Sequence, residues 1–143
     1  MKADTRILAA VDLTEGSRAV ADPACEFARA TQGKVWLLHV VVFVPIEPMS
    51  DSLIPVMQID DQIIDRARKQ IATLAQELGL PPGSGSVEAG SAKSEILHHA
   101  REHNCDLIVL GARERHGLSI LIHRTEDSVL HGAPCDVLAV RTR

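Results

Sequence analysis

The stretch Arg6 to Gly16, R-I-L-A-A-V-D-L-T-E-G, decides the fold. Arg6 to Val11 is a short, continuous apolar run that stops at Asp12. Such a run suits a strand buried on both faces, as in a parallel sheet with helices above and below it. Thr14 or Ser17 can cap a following helix over about Ser17 to Thr31, and Gly33 ends that helix. Pro23 falls inside the helical pattern, so it belongs to the first turns or marks a kink.

The same alternation continues outward. Val35 to Val42, V-W-L-L-H-V-V-V, is a second buried strand. Phe43 to Asp60 holds three prolines and no clear period, and reads as a long functional or mobile loop. Asp60 to Leu78 is the clearest helix, with Ile63, Ile64, Ala67, Ile71, Leu74, Ala75 and Leu78 on one face and Gly79 as its stop. Leu80 to Gly85 is a surface connection within one domain. Ser86 to Ala89 is a weak strand, and Ser91 caps a helix over about Lys93 to His103. Leu107 to Leu110 is a buried strand ending at Gly111, followed by a charged loop, Ala112 to His116. Leu118 to His131 reads as a helix, with Leu121, Ile122, Val129 and Leu130 toward one face and Gly132, Ala133 and Pro134 ending it. Asp136 to Arg141 is the last strand.

The fold class is therefore α/β. One domain over residues 1–143 is expected, a doubly wound five-stranded parallel sheet of order 3-2-1-4-5 with helices on both faces. Winding reverses between strands 1 and 4, and ligands of such sheets bind beyond the strand carboxyl ends at that point. Here the crevice lies between Asp12 and Gly111.

Composition narrows the function. The 143 residues carry a net charge of -4 and 2% aromatic content. A weakly acidic chain lacks the electrostatic pull that nucleic acid or an anionic membrane requires, and it lacks aromatic platforms for stacking bases. Neither is expected as a partner. The apolar run Val35 to Ile46 is broken by His39 and Pro45 and is too short to span a bilayer. The residues Met1 to Arg6 lead straight into a strand without a signal-peptide pattern. Cys25, Cys105 and Cys135 are scattered and odd in number, which suits reduced thiols. A cytoplasmic location is expected.

Four stretches together resemble the universal stress protein family: I-L-A-A-V-D-L-T-E-G-S, L-L-H-V-V, D-L-I-V-L-G-A-R-E-R-H-G-L-S and A-P-C-D-V-L-A-V-R. They run in order and at the family's spacing over nearly the whole chain. The resemblance implies a stress-response domain of the fold just described. It also implies one of two functional classes. Nucleotide-binding members carry Gly-x-x-Gly after strand 4, then nine residues, then Gly-Ser or Gly-Thr. Glycines let backbone N–H groups approach phosphate, and a helix N-terminus with a hydroxyl completes the cradle. Other members lack that loop and are not expected to bind ATP.

This sequence departs from the nucleotide-binding pattern. Gly111 stands at the first glycine position, but Glu114 stands at the second and Arg124, or His123, at the third. A carboxylate would lie where phosphate should, and like charges repel strongly when desolvated. Thr125 can supply the hydroxyl. By the resemblance, Val11 and Asp12 end strand 1 where the nucleoside is contacted, and Val40 matches the position whose backbone meets adenine. Gly117 and the backbone around it could still take a ligand. Asp12 is equally readable as a strand-end carboxylate capping its own turn. Arg113, Arg115, His116 and Arg124 form either a guanidinium anion site or an ordinary charged loop.

The candidate nucleotide-site residues are thus Val11, Asp12, Val40, Gly111, Gly117, Arg124 and Thr125, and ATP or AMP is the candidate cofactor, with none certain. The favoured reading is a dimeric interaction module with weak or absent ATP binding. The alternative is an adenine-nucleotide sensor that uses arginine in place of glycine, with slow ATP hydrolysis as an option. No catalytic constellation stands out, so an enzyme is not the expected class. His99, His103 and Cys105, with Glu95 on the same helical face, invite a metal or redox reading. They lie opposite Ile96, Leu97 and Ala100, so a solvated face is expected and no metal. His39 reads as a hydrogen-bonded strand histidine. Val137 to Val140, V-L-A-V, should lie at a sheet edge that the three residues after it cannot cover. A homodimer through that strand is expected, and the resemblance implies the same pairing. The resemblance leaves any protein partner unidentified.

Overall fold

The structure is a computed structural model that describes residues 2–42, 61–113 and 125–142. Its elements alternate as the apolar runs predict: β1 (Arg6–Ala10), α1 (Ser17–Thr31), β2 (Lys34–Val42), α2 (Asp61–Glu77), β3 (Gly85–Gly90), α3 (Ala92–Glu102), β4 (Leu107–Arg113), α4 (Thr125–Gly132) and β5 (Asp136–Thr142). The five strands form one sheet of order β3-β2-β1-β4-β5, and each neighbouring pair is parallel. The expected long loop, Phe43 to Asp60, lies outside the described residues.

Period-two alternation divides the core between the two faces. Ile7, Ala9, Val11, Leu37, Leu107 and Val109 pack with α1 and α2 residues such as Val20, Ala24, Ile71 and Leu74. Leu8, Leu38, Ile108 and Leu110 pack on the other face with Ile96, Leu97 and Ala100 of α3 and Val129 of α4. Leu8, Ala9, Leu37, Ile108 and Val109 are fully buried in the middle of the sheet. That double-sided burial is why the central strands read as unbroken apolar runs.

Several local readings change. Ile63 is exposed, although it was expected on the buried face of α2; Ala67, Ile71, Leu74 and Ala75 are the residues that α2 buries. Neither Thr14 nor Ser17 caps α1, whose N-cap is Gly16 without a side-chain bond. Gln32 takes the left-handed C-cap conformation expected of Gly33. A side chain at Gly33 would instead collide with the Thr5 carbonyl oxygen, so close approach explains that glycine. Pro23 sits inside α1, past its first turn. The described part of the fourth helix is Thr125–Gly132, and Leu118 to Arg124 lie outside the described residues. Its Val129 is fully buried, whereas Leu130 is exposed.

Candidate functional site

β1 and β4 are neighbours, and the chain leaves them toward opposite sides of the sheet. The winding reversal therefore falls where expected, with Val11 and Asp12 just past β1 and Gly111 inside β4. Val11 is buried; its N–H donates to the Leu38 carbonyl oxygen at 2.9 Å. Its own carbonyl oxygen accepts from His39 Nδ1 at 2.8 Å, which makes His39 a hydrogen-bonded strand histidine. Val40 lies opposite Glu88 in the β2–β3 pair and packs on the α3–α4 face of the core.

Asp12 organises the turn into α1. Its Oδ1 accepts from the Thr14 amide at 3.0 Å, the Thr14 hydroxyl at 2.6 Å and the Ser17 hydroxyl at 3.4 Å. A strand-end aspartate that turns the chain in this way is an Asx motif. It lets Leu13 adopt a left-handed φ of 60°. Gly111 has an equally local reason. A Cβ built there would stand 3.2 Å from Thr142 Cγ2 and 3.3 Å from Val20 Cγ2. The described residues that match nucleotide ligands by resemblance thus also serve the fold. Gly117 and Arg124, with Glu114 and His123, lie outside the described residues, and Thr125 opens α4.

A second group assembles away from this crevice, on α3 and the edge strand β3. His99 was expected on a solvated helix face. It is buried instead, with a side chain only 7% exposed, and its Nε2 lies 3.3 Å from Glu88 Oε1. Its Nδ1 is buried without a hydrogen-bond partner. The ligand-type atoms of Glu88, Glu95 and His99 all lie within 4.8 Å of one another, as do those of His99, Glu102 and His103. Cys105 takes part in neither group and belongs to the core. Glu88 and Glu102 are the members that sequence reasoning missed; for Glu88 a signal was at hand. The available signal was alternation: Val87 faces α1 and α2, so Glu88 must face α3.

The cysteines carry the clearest electrostatic perturbation. Burial pushes the Cys105 thiol up to about 11, with neighbouring Cys135 and Asp106 adding to the shift. Burial also raises Cys25 and Cys135. Thiols held neutral in this way are poor nucleophiles.

The model of the Universal stress protein family matches residues 5–141. The chain belongs to the universal stress protein family. It is 32% identical over 139 residues to universal stress protein A homolog 2 of Coxiella burnetii, covering 96% of this chain and 95% of that relative. Among solved structures, it resembles universal stress protein UspA from Lactobacillus plantarum with a TM-score of 0.71 and 25% identity, over 99% of this chain and 100% of that one. A universal stress protein solved in complex with cAMP shares the fold with a TM-score of 0.65 at 18% identity, over 99% of this chain and 100% of that one. Among the described residues of this universal stress protein, no helix is long and apolar enough to cross a membrane.

Proposed function

We propose that this universal stress protein domain acts as a dimeric interaction module in the cytoplasm, with weak or absent ATP binding. The observation that carries the reading is the local use of Asp12 and Gly111. The Asp12 Oδ1 is engaged by its own turn, and Gly111 packs against Thr142 and Val20. The sequence supports the same reading, because Glu114 and Arg124 stand where glycines would cradle phosphate. Three free thiols suit a reducing compartment. The edge position of β5 supports pairing between two copies.

Calorimetry with ATP tests the nucleotide half of this reading. The expected dissociation constant is no tighter than the high-micromolar range, and a sub-micromolar constant would overturn it. The second reading, an adenine-nucleotide sensor, is favoured by the fold shared with the cAMP-bound universal stress protein. The double substitution Glu114→Gly and Arg124→Gly separates the two. If arginine is not a ligand, ATP binding strengthens as a carboxylate leaves and backbone amides become accessible. If Arg124 holds phosphate, affinity falls and the sensor reading replaces the first.

A further inference from the structure

We propose that Glu88 of β3, with Glu95 and His99 of α3, forms a binding site for a divalent first-row transition ion. Three features of the fold converge on it. Glu95 and His99 are four residues apart on α3 and so share one face of the helix. Glu88 reaches that face from the adjoining edge strand, and its Oε1 lies 3.3 Å from His99 Nε2. The three ligand-type atoms lie within 4.8 Å of one another, so small side-chain rotations bring them to the roughly 2.0–2.2 Å ligand distances of such an ion.

The donor set also suits a cation. Two carboxylates and one imidazole converge on the same point. His99 is desolvated, yet its Nδ1 has no partner. Buried polar atoms without partners are uncommon and call for a specific account. A divalent cation between the carboxylates would take the lone pair of His99 Nε2, the ring nitrogen that faces Glu88, and leave the ring proton on Nδ1. The ring is braced for such a role. His99 stacks on His103 at 5.6 Å, His103 stacks on Trp36 at 4.9 Å, and Trp36 Nε1 donates to Ser86 Oγ at 3.1 Å. All three ligands stand on a helix or a strand, which fixes a site better than a loop does.

Donor chemistry sets the ligand class. One imidazole nitrogen with carboxylate oxygens suits Zn2+, Mn2+ or Fe2+, whereas Mg2+ and Ca2+ prefer all-oxygen shells. Three protein ligands leave room for water on the ion. The alternative group, His99 with Glu102 and His103, competes for the same imidazole. It is disfavoured because Glu102 already faces His98 Nε2 at 3.2 Å and His103 is held in the ring stack.

The test is titration of the chelator-stripped protein with Zn2+ by calorimetry and with Co2+ by visible absorption. One equivalent per chain is expected, with a Zn2+-dependent rise in the thermal midpoint. Glu88→Gln and Glu95→Gln should each weaken binding by about tenfold or more, and Glu102→Gln and His98→Gln should leave it unchanged. Circular dichroism checks that each variant is folded; should Glu88→Gln fail to fold, Glu95→Gln alone decides. Unchanged affinity in Glu95→Gln, or loss confined to Glu102→Gln or His98→Gln, would overturn the proposal.

Discussion

Gly111 of β4 packs diagonally against Thr142 of β5, two residues beyond its register partner Val140: a Cβ on the glycine would stand 3.2 Å from the Thr142 Cγ2 methyl. Val20 of α1 closes the other side at 3.3 Å. Strand β5 and helix α1 therefore meet over this one backbone position. The glycine resembles the first member of a phosphate loop, but its packing also disfavours a side chain, because an added Cβ would force a neighbouring methyl to shift.

Gly111→Ala should destabilise the protein by about 1–3 kcal/mol, the usual cost of added volume in a tight contact. Thr142→Ser removes the Cγ2 methyl and should recover part of that loss in the double variant. Urea denaturation measures both. A neutral Gly111→Ala would refute the packing explanation and return the glycine to a ligand role.

Asp12 yields a second separation of roles. Its Oδ1 accepts from the Thr14 amide and from two hydroxyls. Asp12→Ala should cost about 1 kcal/mol of stability, as loss of a capping side chain does. Asp12→Asn keeps an oxygen acceptor and should cost less. If stability is unchanged in Asp12→Ala while adenylate binding weakens, Asp12 is a nucleoside contact and its turn is incidental.

The raised thiols predict a pH dependence. Cys105 ionises near 9.0 when unfolded and at about 11 when buried in the fold. Between those values the unfolded chain has released a proton that the folded chain retains. Stability therefore falls as pH rises, which is the sign linkage requires for a raised acidic group. Cys25 and Cys135 act in the same direction. Urea midpoints compared at about pH 8 and about pH 10.5 should drop more in the native sequence than in Cys105→Ala. Equal drops would show that the Cys105 thiol does not carry the effect.

The architecture was legible because the central strands are buried on both faces. Arg6 to Val11 and Leu107 to Leu110 read as apolar runs, since neighbours cover them above and below. The winding reversal and the edge position of β5 then followed from chain order. Local chemistry was less legible. His99 lies three positions from Ile96 and next to Ala100, at the border of the apolar stripe of α3, where the helix considered alone leaves burial undecided. At His99 the flank of α3 is covered by Glu88 of β3, so a strand takes the place of solvent. Helical periodicity identifies a face but not what overhangs its border. Ile63 fails in the opposite sense: it follows the apolar pattern of α2 but is exposed. The Asp12 turn was recognisable by residue type, but its Thr14 and Ser17 partners needed the geometry. Gln32 shows that the glycine signal at a helix end can arise one position away from the left-handed residue, because Gly33 is required by its approach to Thr5.

The edge of β5 supplies the last prediction. β5 pairs with β4 on one side, from Asp136 opposite Leu107 to Thr142 opposite Arg113, and is the terminal strand of the sheet order. Val137, Leu138 and Val140 are half-buried, and Ala139 is exposed. A short apolar strand without proline, carrying backbone donors and acceptors on an outer edge, favours pairing with another strand. A second copy related by a two-fold axis offers the same strand antiparallel and satisfies both edges at once. The proposed homodimer would therefore place Val137 to Val140 of each copy side by side. Ala139→Glu is a selective probe, since the site is exposed in one chain and the substitution buries no charge there. Across the axis two carboxylates would approach each other, and like charges on facing strands destabilise the pair. Sedimentation at tens of micromolar should show a dimer for the native sequence and a shift toward monomer for Ala139→Glu, with unchanged circular dichroism. Ala139→Lys should do the same, because repulsion rather than a particular contact drives the change. A native chain that sediments as a monomer would exclude the pairing. A dimer indifferent to both charges would move the interface away from β5.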